Sequence, residues 1–208
     1  MPRYYPAFLD LRGKLALVVG GGAVALRKVQ LLLSCSARIR LVSPQVTEAV
    51  SRLRSSVGLV LRPWEAADLD GVRIAFAATD DPAVNARVAR EARARGIPVN
   101  VADTPSLCDF IVPSVVHRGD LQIAISTGGG SPALARRLRQ EIERMVGPEY
   151  AELLALLESV RERIRAEIPD PRRRRAVFAE LIDGDLLTLI RNGDRSAIRA
   201  RIEAIVRE

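Results

Sequence analysis

Two rhythms of apolar and polar positions run along this chain, and one gives way to the other just past residue 100. Leu15–Val19 has no polar position, as expected of a strand covered on both faces. Val24–Ser34 follows with Val29, Leu32 and Leu33 at helical spacing. Arg38–Val42 alternates like a strand and stops at Ser43-Pro44. Gln45–Ser55 predicts a helix burying Val46, Val50 and Leu53. Gly58–Arg62 predicts a short strand and Val72–Ala77 a more buried one. Asp81 before Pro82 reads as an N-cap and first-turn proline, opening a helix that reaches Arg95 and stops at Gly96. Ile97–Val101 is the next strand. Strands and helices in this alternation predict an α/β fold, a Rossmann-like doubly wound parallel sheet with helices on both faces.

Beyond Val101 the rhythm changes. Phe110–His117 and Leu121–Ser126 are strand-like runs separated by Arg118-Gly119-Asp120, a hairpin signal. Gly128–Gly130 precedes Ser131-Pro132, which caps a helix running to about Met145, and Gly147-Pro148 ends it. Residues 149–208 are helical by periodicity, with breaks at Pro169–Pro171 and at Asn192-Gly193. The expected organisation is a Rossmann domain over 1–112, a small β-hairpin-plus-helix region over 113–147 and a helical C-terminal domain over 148–208.

Composition narrows the class. With 208 residues and 48% hydrophobic content, the chain sits among folded globular proteins. No apolar run approaches the ~20 residues of a membrane span, and MPRYYPAFLDL lacks a signal-peptide layout. A cytoplasmic protein with no membrane partner is expected. The net charge is +7, and 30 of the 32 basic residues are Arg. Genome-wide composition explains such a bias without function; an acidic partner explains it through bidentate binding of carboxylates and phosphates. Nucleic acid is not the expected partner, because basic residues are spread along the chain, aromatics are only 4%, and no recognition motif occurs. A small polyanion fits better. Arg172–Arg175 reads as a solvated helix face. Cys35 and Cys108 lack metal-type spacing and His117 is the only histidine. No metal site is therefore expected, nor a Ser–His–Asp triad unless His117 supplies its base.

The chemistry concentrates in LALVVGGGAVALRK, residues 15–28. Read as G-x-G-x-x-A, it supplies Gly20 for a tight turn, Gly22 for close approach of a diphosphate, and Ala25 for helix–strand packing. A dinucleotide, NAD, is the ligand such a joint fits. The acidic residue expected ~20 positions later, at the end of the second strand, is absent; Val42-Ser43-Pro44 stands there. Ser43, or a backbone amide near Gln45, is the expected substitute for ribose binding; a strand end without ligand contact is the alternative. In Ala77-Ala78-Thr79-Asp80-Asp81, Thr79 is a candidate cofactor contact and the aspartates are helix caps. Asn100-Val101-Ala102-Asp103 closes the fifth strand where ligands bind in such sheets. Asp103 is thus a candidate acid–base group, or else a turn aspartate before Thr104-Pro105.

Five segments, YPAFLDLRGK, VVGGGAVALRK, AATDDPAVN, VNVADTPSLCDFIVPS and ISTGGGSPALARRLR, span roughly residues 4–145. In their order and spacing the chain resembles the precorrin-2 dehydrogenase and sirohydrochlorin ferrochelatase family, the N-terminal module of sirohaem synthase. The resemblance implies NAD-dependent oxidation of precorrin-2 to sirohydrochlorin. It also implies a Rossmann domain, a dimerisation region over 113–147, a helical tail and an interlocked homodimer. By the same resemblance Asp103 is the catalytic aspartate, and Gly20, Gly22, Ala23 and Val24 form the cofactor turn. By that resemblance Ser43 and Pro44 sit where the second strand meets the adenosine ribose; Thr79 and Asn100, at the ends of the fourth and fifth strands, are further candidate cofactor contacts. Ala23 and Leu26 depart from the polar or acidic residue and the glutamate common in relatives.

The eight carboxylates of precorrin-2 make the +7 charge intelligible. Ser126, Thr127, Gly128 and Gly129, opening the helix at Ser131, are candidate carboxylate holders; a turn that lets the helix cross to a partner subunit is the equal alternative. Arg118 is a further candidate carboxylate ligand, and His117 is expected as a strand-end residue. Some members also insert Fe2+ into sirohydrochlorin, and others only dehydrogenate. For iron insertion, Asp103 would be the base for pyrrole protons. Asp103, Asp109 and His117 share one segment but match no metal motif. With no methyltransferase domain before the end at 208, methylation is expected elsewhere. A non-catalytic NAD-sensing Rossmann module is the rival class. It accounts for the glycine turn and the missing ribose acid, but not for the Asp103 segment or the second glycine cluster.

Overall fold

A five-stranded parallel sheet in the order β3-β2-β1-β4-β5 organises the first half of the chain. The structure is a computed structural model that describes residues 4–207. By contacts the chain divides into two units, 1–112 and 113–208. In the first, β1 is Leu15–Val19, α1 Ala23–Ser34, β2 Arg38–Val42, α2 Glu48–Ser51 and β3 Gly58–Val60. β4 (Val72–Ala77), α3 (Pro82–Ala94) and β5 (Val99–Val101) follow. β1 lies at the centre and is paired on both sides, with β2 and with β4. That position explains its unbroken apolar run.

Alternate residues of the strands feed two separate cores. Val18, Ile39, Leu41 and Phe76 pack with Ala25, Val29 and Leu32 of α1. Leu17, Val19, Ala75 and Val99 pack with Val88, Ala89 and Ala92 of α3. The two helices therefore cover opposite faces of the sheet. Asp81 caps α3 as its sequence predicts, with Oδ1 accepting from Ala83 N at 2.8 Å and Val84 N at 3.3 Å. Gly96, at φ +67°, follows the end of α3.

Four expected elements come out shorter: the strands expected over Gly58–Arg62 and Ile97–Val101 are Gly58–Val60 and Val99–Val101, and two others have a visible cause. The helix predicted over Gln45–Ser55 is the four-residue α2, because the residues before it are tied elsewhere: Thr47 N donates to Gly21 O at 3.0 Å. The strand predicted from Phe110 begins at Ser114, since Phe110 and Val112 pack into the α1-side core as loop residues.

In the second unit, β6 (Ser114–Arg118) and β7 (Leu121–Ile125) form the expected antiparallel hairpin. α4 (Pro132–Met145) starts at its N-cap Ser131, whose Oγ accepts from Leu134 N at 3.2 Å. α5 (Glu149–Glu167), α6 (Pro171–Asp183), α7 (Leu186–Asn192) and α8 (Arg195–Arg207) enclose a third core that includes Leu153, Ile164, Val177, Leu181, Leu186 and Ile198. The break before α7, at Gly184, has no counterpart in the expected pattern. Gly184 ends α6 there, its N donating to Glu180 O at 3.0 Å, and a Cβ on it would lie 2.8 Å from that same oxygen. Gly193 ends α7 in the left-handed conformation. Among the described residues no helix is long and apolar enough to cross a membrane.

Candidate functional site

The turn after β1 lies at the point where the strand order reverses, between β1 and β4. Its three glycines do different things. Gly20 takes φ +123°, and a Cβ there would sit 2.2 Å from Ala78 O, so the turns after β1 and β4 pack backbone to backbone. Gly21 faces the loop after β2; a Cβ there would lie 2.0 Å from Gln45 O and 2.9 Å from Ser43 Oγ. A Cβ on Gly22 meets nothing within 4 Å. Gly22 is the N-cap of α1 and offers no side chain, and the first turn carries no acidic residue. The N–H groups of Ala23, Val24 and Ala25 precede the first intrahelical bond, from Leu26 N to Gly22 O at 3.0 Å. An exposed, uncapped helix start with open space before it suits a diphosphate. Ala25 is fully buried against the sheet, the packing role its place in the motif predicts. The requirement at Gly21 escapes the G-x-G-x-x-A pattern, because its clash is with a loop more than twenty residues away.

At the end of β2, Ser43 is buried and its Oγ donates to Gln45 O at 2.6 Å. That hydroxyl closes the loop that confines Gly21. Pro44 is exposed beside it. After β4, Thr79 is clamped to Asn85 of α3: Thr79 Oγ1 donates to Asn85 Oδ1 at 2.8 Å, and Asn85 Nδ2 donates to Thr79 O at 2.9 Å. Asn85 is buried and fixes this strand end. It lies inside AATDDPAVN, but its spacing alone carries no sign of the role.

Asp103 lies two residues past β5, exposed, and holds the left-handed conformation at φ +56°. Its loop is fastened back to β5 from several points. Asn100 Nδ2 donates to Phe110 O at 3.0 Å. Val101 N donates to Cys108 Sγ at 3.2 Å, and the thiol lies 3.2 Å from Val101 O. Asp109 accepts from Arg93 Nε at 2.8 Å and from Val99 N at 3.0 Å. Asn100 and Cys108 thus hold the loop that presents Asp103, while Asp109 braces the start of the strand. Among the described residues no three His, Cys, Asp or Glu side chains gather as a metal-binding group.

In the second unit, the hydroxyls expected to meet carboxylates shape their own loop. Ser126 Oγ accepts from Gly128 N at 3.0 Å, and Thr127 Oγ1 lies 3.1 Å from both N and O of Ser131. Gly128 and Gly129 take φ +62° and +89°, with open space around each. Arg118, expected as a carboxylate ligand, has its guanidinium on backbone oxygens: those of Val146 (2.8 Å), Glu143 (2.9 Å) and His117 (2.8 Å). It caps the C-terminal end of α4. His117 is exposed at the hairpin end.

Sheet order, glycine turn and bare helix start together define a dinucleotide-binding protein of the Rossmann type. A family model described as putative NAD(P)-binding matches residues 7–114, and the chain belongs to that family. The models described as sirohaem biosynthesis protein central and sirohaem synthase dimerisation region match residues 118–145 and 149–205. The dimerisation description thus falls C-terminal to the 113–147 segment expected to carry that role. Curated relatives include the siroheme synthase of Thioalkalivibrio sulfidiphilus, 42% identical over 202 residues, with 96% of this chain and 41% of the relative covered. That of Methylococcus capsulatus is 43% identical over 204 residues, covering 97% and 43%. The chain spans about two fifths of the length of these relatives. A solved structure titled SirC, precorrin-2 dehydrogenase, is similar over 99% of this chain and 100% of its own, with a TM-score of 0.79 and 26% identity.

Proposed function

We propose that this chain oxidises precorrin-2 to sirohydrochlorin with NAD+, as a homodimer in the cytoplasm. The observation that carries it is the pairing, within one unit, of an open glycine turn with an exposed carboxylate held in a left-handed loop at the end of β5. The likeness to siroheme synthases and to a precorrin-2 dehydrogenase supports the choice of substrate. The match of 149–205 to a dimerisation model supports the assembly. We keep 113–147 and 148–208 as separate functional segments beside the Rossmann domain.

When bound, NAD+ supplies the hydride acceptor. The protein's part begins with the N–H groups of Ala23, Val24 and Ala25, which hold the diphosphate where Gly22 leaves room. Ser43 and Pro44 line the ribose end, and Thr79 and Asn100 border the strand ends across which the cofactor lies. Ser43, Thr79 and Asn100 use their polar side chains to set the surrounding backbone, so they shape the cradle more than they grip the ligand. Asp103 takes the proton that leaves precorrin-2 as the hydride departs; the balance is precorrin-2 plus NAD+ to sirohydrochlorin, NADH and H+. Holding the two planar systems together and excluding water is the remaining task of the fold. The open loop of Ser126, Thr127, Gly128 and Gly129 is the element that receives substrate carboxylates.

The test is incubation of the purified protein with precorrin-2 and either NAD+ or NADP+, following NADH or NADPH formation and the sirohydrochlorin spectrum. Turnover with a preference for NAD+ is expected. Adding Fe2+ to the same cuvette reports whether the chain also metallates its product. Asp103→Asn is the informative variant, because Asn tolerates the left-handed conformation where Ala is strained. It should lower kcat by roughly 100-fold or more, the range of a lost general base, with NAD+ affinity unchanged. Full turnover in that variant removes Asp103 from the chemistry. A wild-type protein that binds NAD+ without turnover favours the sensing module.

A further inference from the structure

Only two of the 32 basic residues are lysines, Lys14 and Lys28, and Lys28 stands in an unusual place. It lies on α1, less than two turns beyond Gly22, and is partly buried. Its Nζ sits 5.6 Å from the centroid of the Phe76 ring, on the face of the sheet covered by α1. Phe110 meets Phe76 edge-on at 5.5 Å and 89°, so the ammonium rests on an aromatic floor shared by β4 and the Asp103 loop. No carboxylate lies within 4.0 Å of it among the described residues, where fourteen other Arg–carboxylate pairs are formed. Burial, and after it the neighbouring Arg27 charge, presses its proton affinity down, and Asp103 is the carboxylate whose field opposes them.

A lysine that only covers apolar surface extends its ammonium into water. One kept half-buried without an ion-pair partner carries an uncompensated desolvation cost. A cation–π contact offsets part of that cost, and an incoming anion would offset the rest. Lys also differs from Arg in presenting a compact point charge, which suits a narrow place beside a ring where a planar fork does not fit.

We propose that Lys28 is a substrate-positioning residue, its ammonium taking one carboxylate of the tetrapyrrole and so registering the macrocycle against Asp103. This rests on the reading of the site as a precorrin-2 dehydrogenase. Phe76 and Phe110 act beneath it as a rigid support. Lys28 itself moves no proton and makes no contact with the reacting carbon.

Two measurements test it. In Lys28→Met, which keeps the stem over Phe76 and removes the charge, the KM for precorrin-2 should rise about tenfold or more, the size of one lost charge-assisted contact. The KM for NAD+ should stay put, and Lys28→Glu should do worse than Lys28→Met. The second uses the wild-type protein and needs no turnover. Acetylation with an amine-reactive ester, read by mass spectrometry, compares Lys28 with Lys14 as internal control. Sirohydrochlorin should protect Lys28 and leave Lys14 reactive, and NAD+ alone should protect neither. A precorrin-2 KM within twofold of wild type in Lys28→Met, an equal rise for NAD+, or no protection by sirohydrochlorin overturns the proposal. If the wild-type protein fails to oxidise precorrin-2, the functional reading has failed first; if it turns over and Lys28 stays unprotected, only the role of Lys28 has failed.

Discussion

One added methyl group separates Gly21 from its neighbour Gly22. In Gly21→Ala the new Cβ would have to share space with Gln45 O, 2.0 Å away, and neither the carbonyl nor the turn can retreat without breaking the bond from Thr47 N to Gly21 O. A loss of stability of roughly 2–4 kcal/mol is expected, as for other overpacked or backbone-strained sites. Gly22→Ala meets no such barrier: its φ of −88° suits any residue and the space ahead is open. It should melt with the wild type, yet its methyl group would stand where the diphosphate approaches. Thermal melting and NAD+ titration of the two variants should therefore give opposite patterns, lost stability in the first and lost affinity in the second. Equal NAD+ affinity in Gly22→Ala would move the dinucleotide away from this turn.

At the scale of elements, the connection between β3 and β4 is held by a buried acid. Asp68 is 4% exposed and takes a bidentate grip from Arg62, both N···O distances 2.8 Å. Its Oδ2 also accepts from Glu65 N, and Arg40 donates to its backbone O at 2.6 Å. The Arg62 guanidinium, first among these, holds the carboxyl below its usual range. A depressed carboxylate pKa stabilises the fold above the unfolded value, near ~3.9, and that stability fades as pH falls through the folded value. Asp68→Asn should cost roughly 1–3 kcal/mol at pH 7, the partly wet Arg62 keeping it below the fully buried limit. The gap between variant and wild type in urea unfolding should narrow as the pH drops below ~4. A gap independent of pH would mean that shape, not charge, holds this turn.

The same scale shows why some elements are legible and others are not. β1, β4, α1 and α3 announce themselves because their partners lie on fixed faces and their periodicity records it. Asp81-Pro82 and Ser131-Pro132 mark helix starts by local chemistry, and both caps form. α2 and the start of β6 fail because long-range bonds override local pattern: Thr47 is taken by Gly21, and Phe110 by Asn100. The candidate site divides likewise. Gly20, Gly22 and Asp103 stand out from motif and position, whereas Asn85, Cys108 and Gly21 act through contacts that only the folded chain brings together. Arg118 shows the converse, a charged residue whose type suggests a ligand and whose geometry caps a helix.

Over the whole molecule, the +7 charge leaves two explanations for the arginine excess, and they differ in what salt does. Many arginines already face carboxylates on their own surface, as in Arg201–Asp185, Arg52–Glu48 and Arg137–Glu141, and such exposed pairs add little. If the excess is compositional only, binding of either ligand should respond weakly and alike to ionic strength. If the net field draws in an octacarboxylate, screening acts on that substrate first, since the Debye length shrinks from ~10 Å at 0.1 M to ~3 Å at 1 M. The KM for precorrin-2 should then climb several-fold between ~0.05 and ~0.5 M KCl, with the change mostly in the rate of association. NAD+, carrying far less charge and, in the proposed mode, held through backbone N–H groups, should change much less. Parallel KM-against-salt curves for the two substrates would assign the arginines to composition and leave recognition to a few local groups.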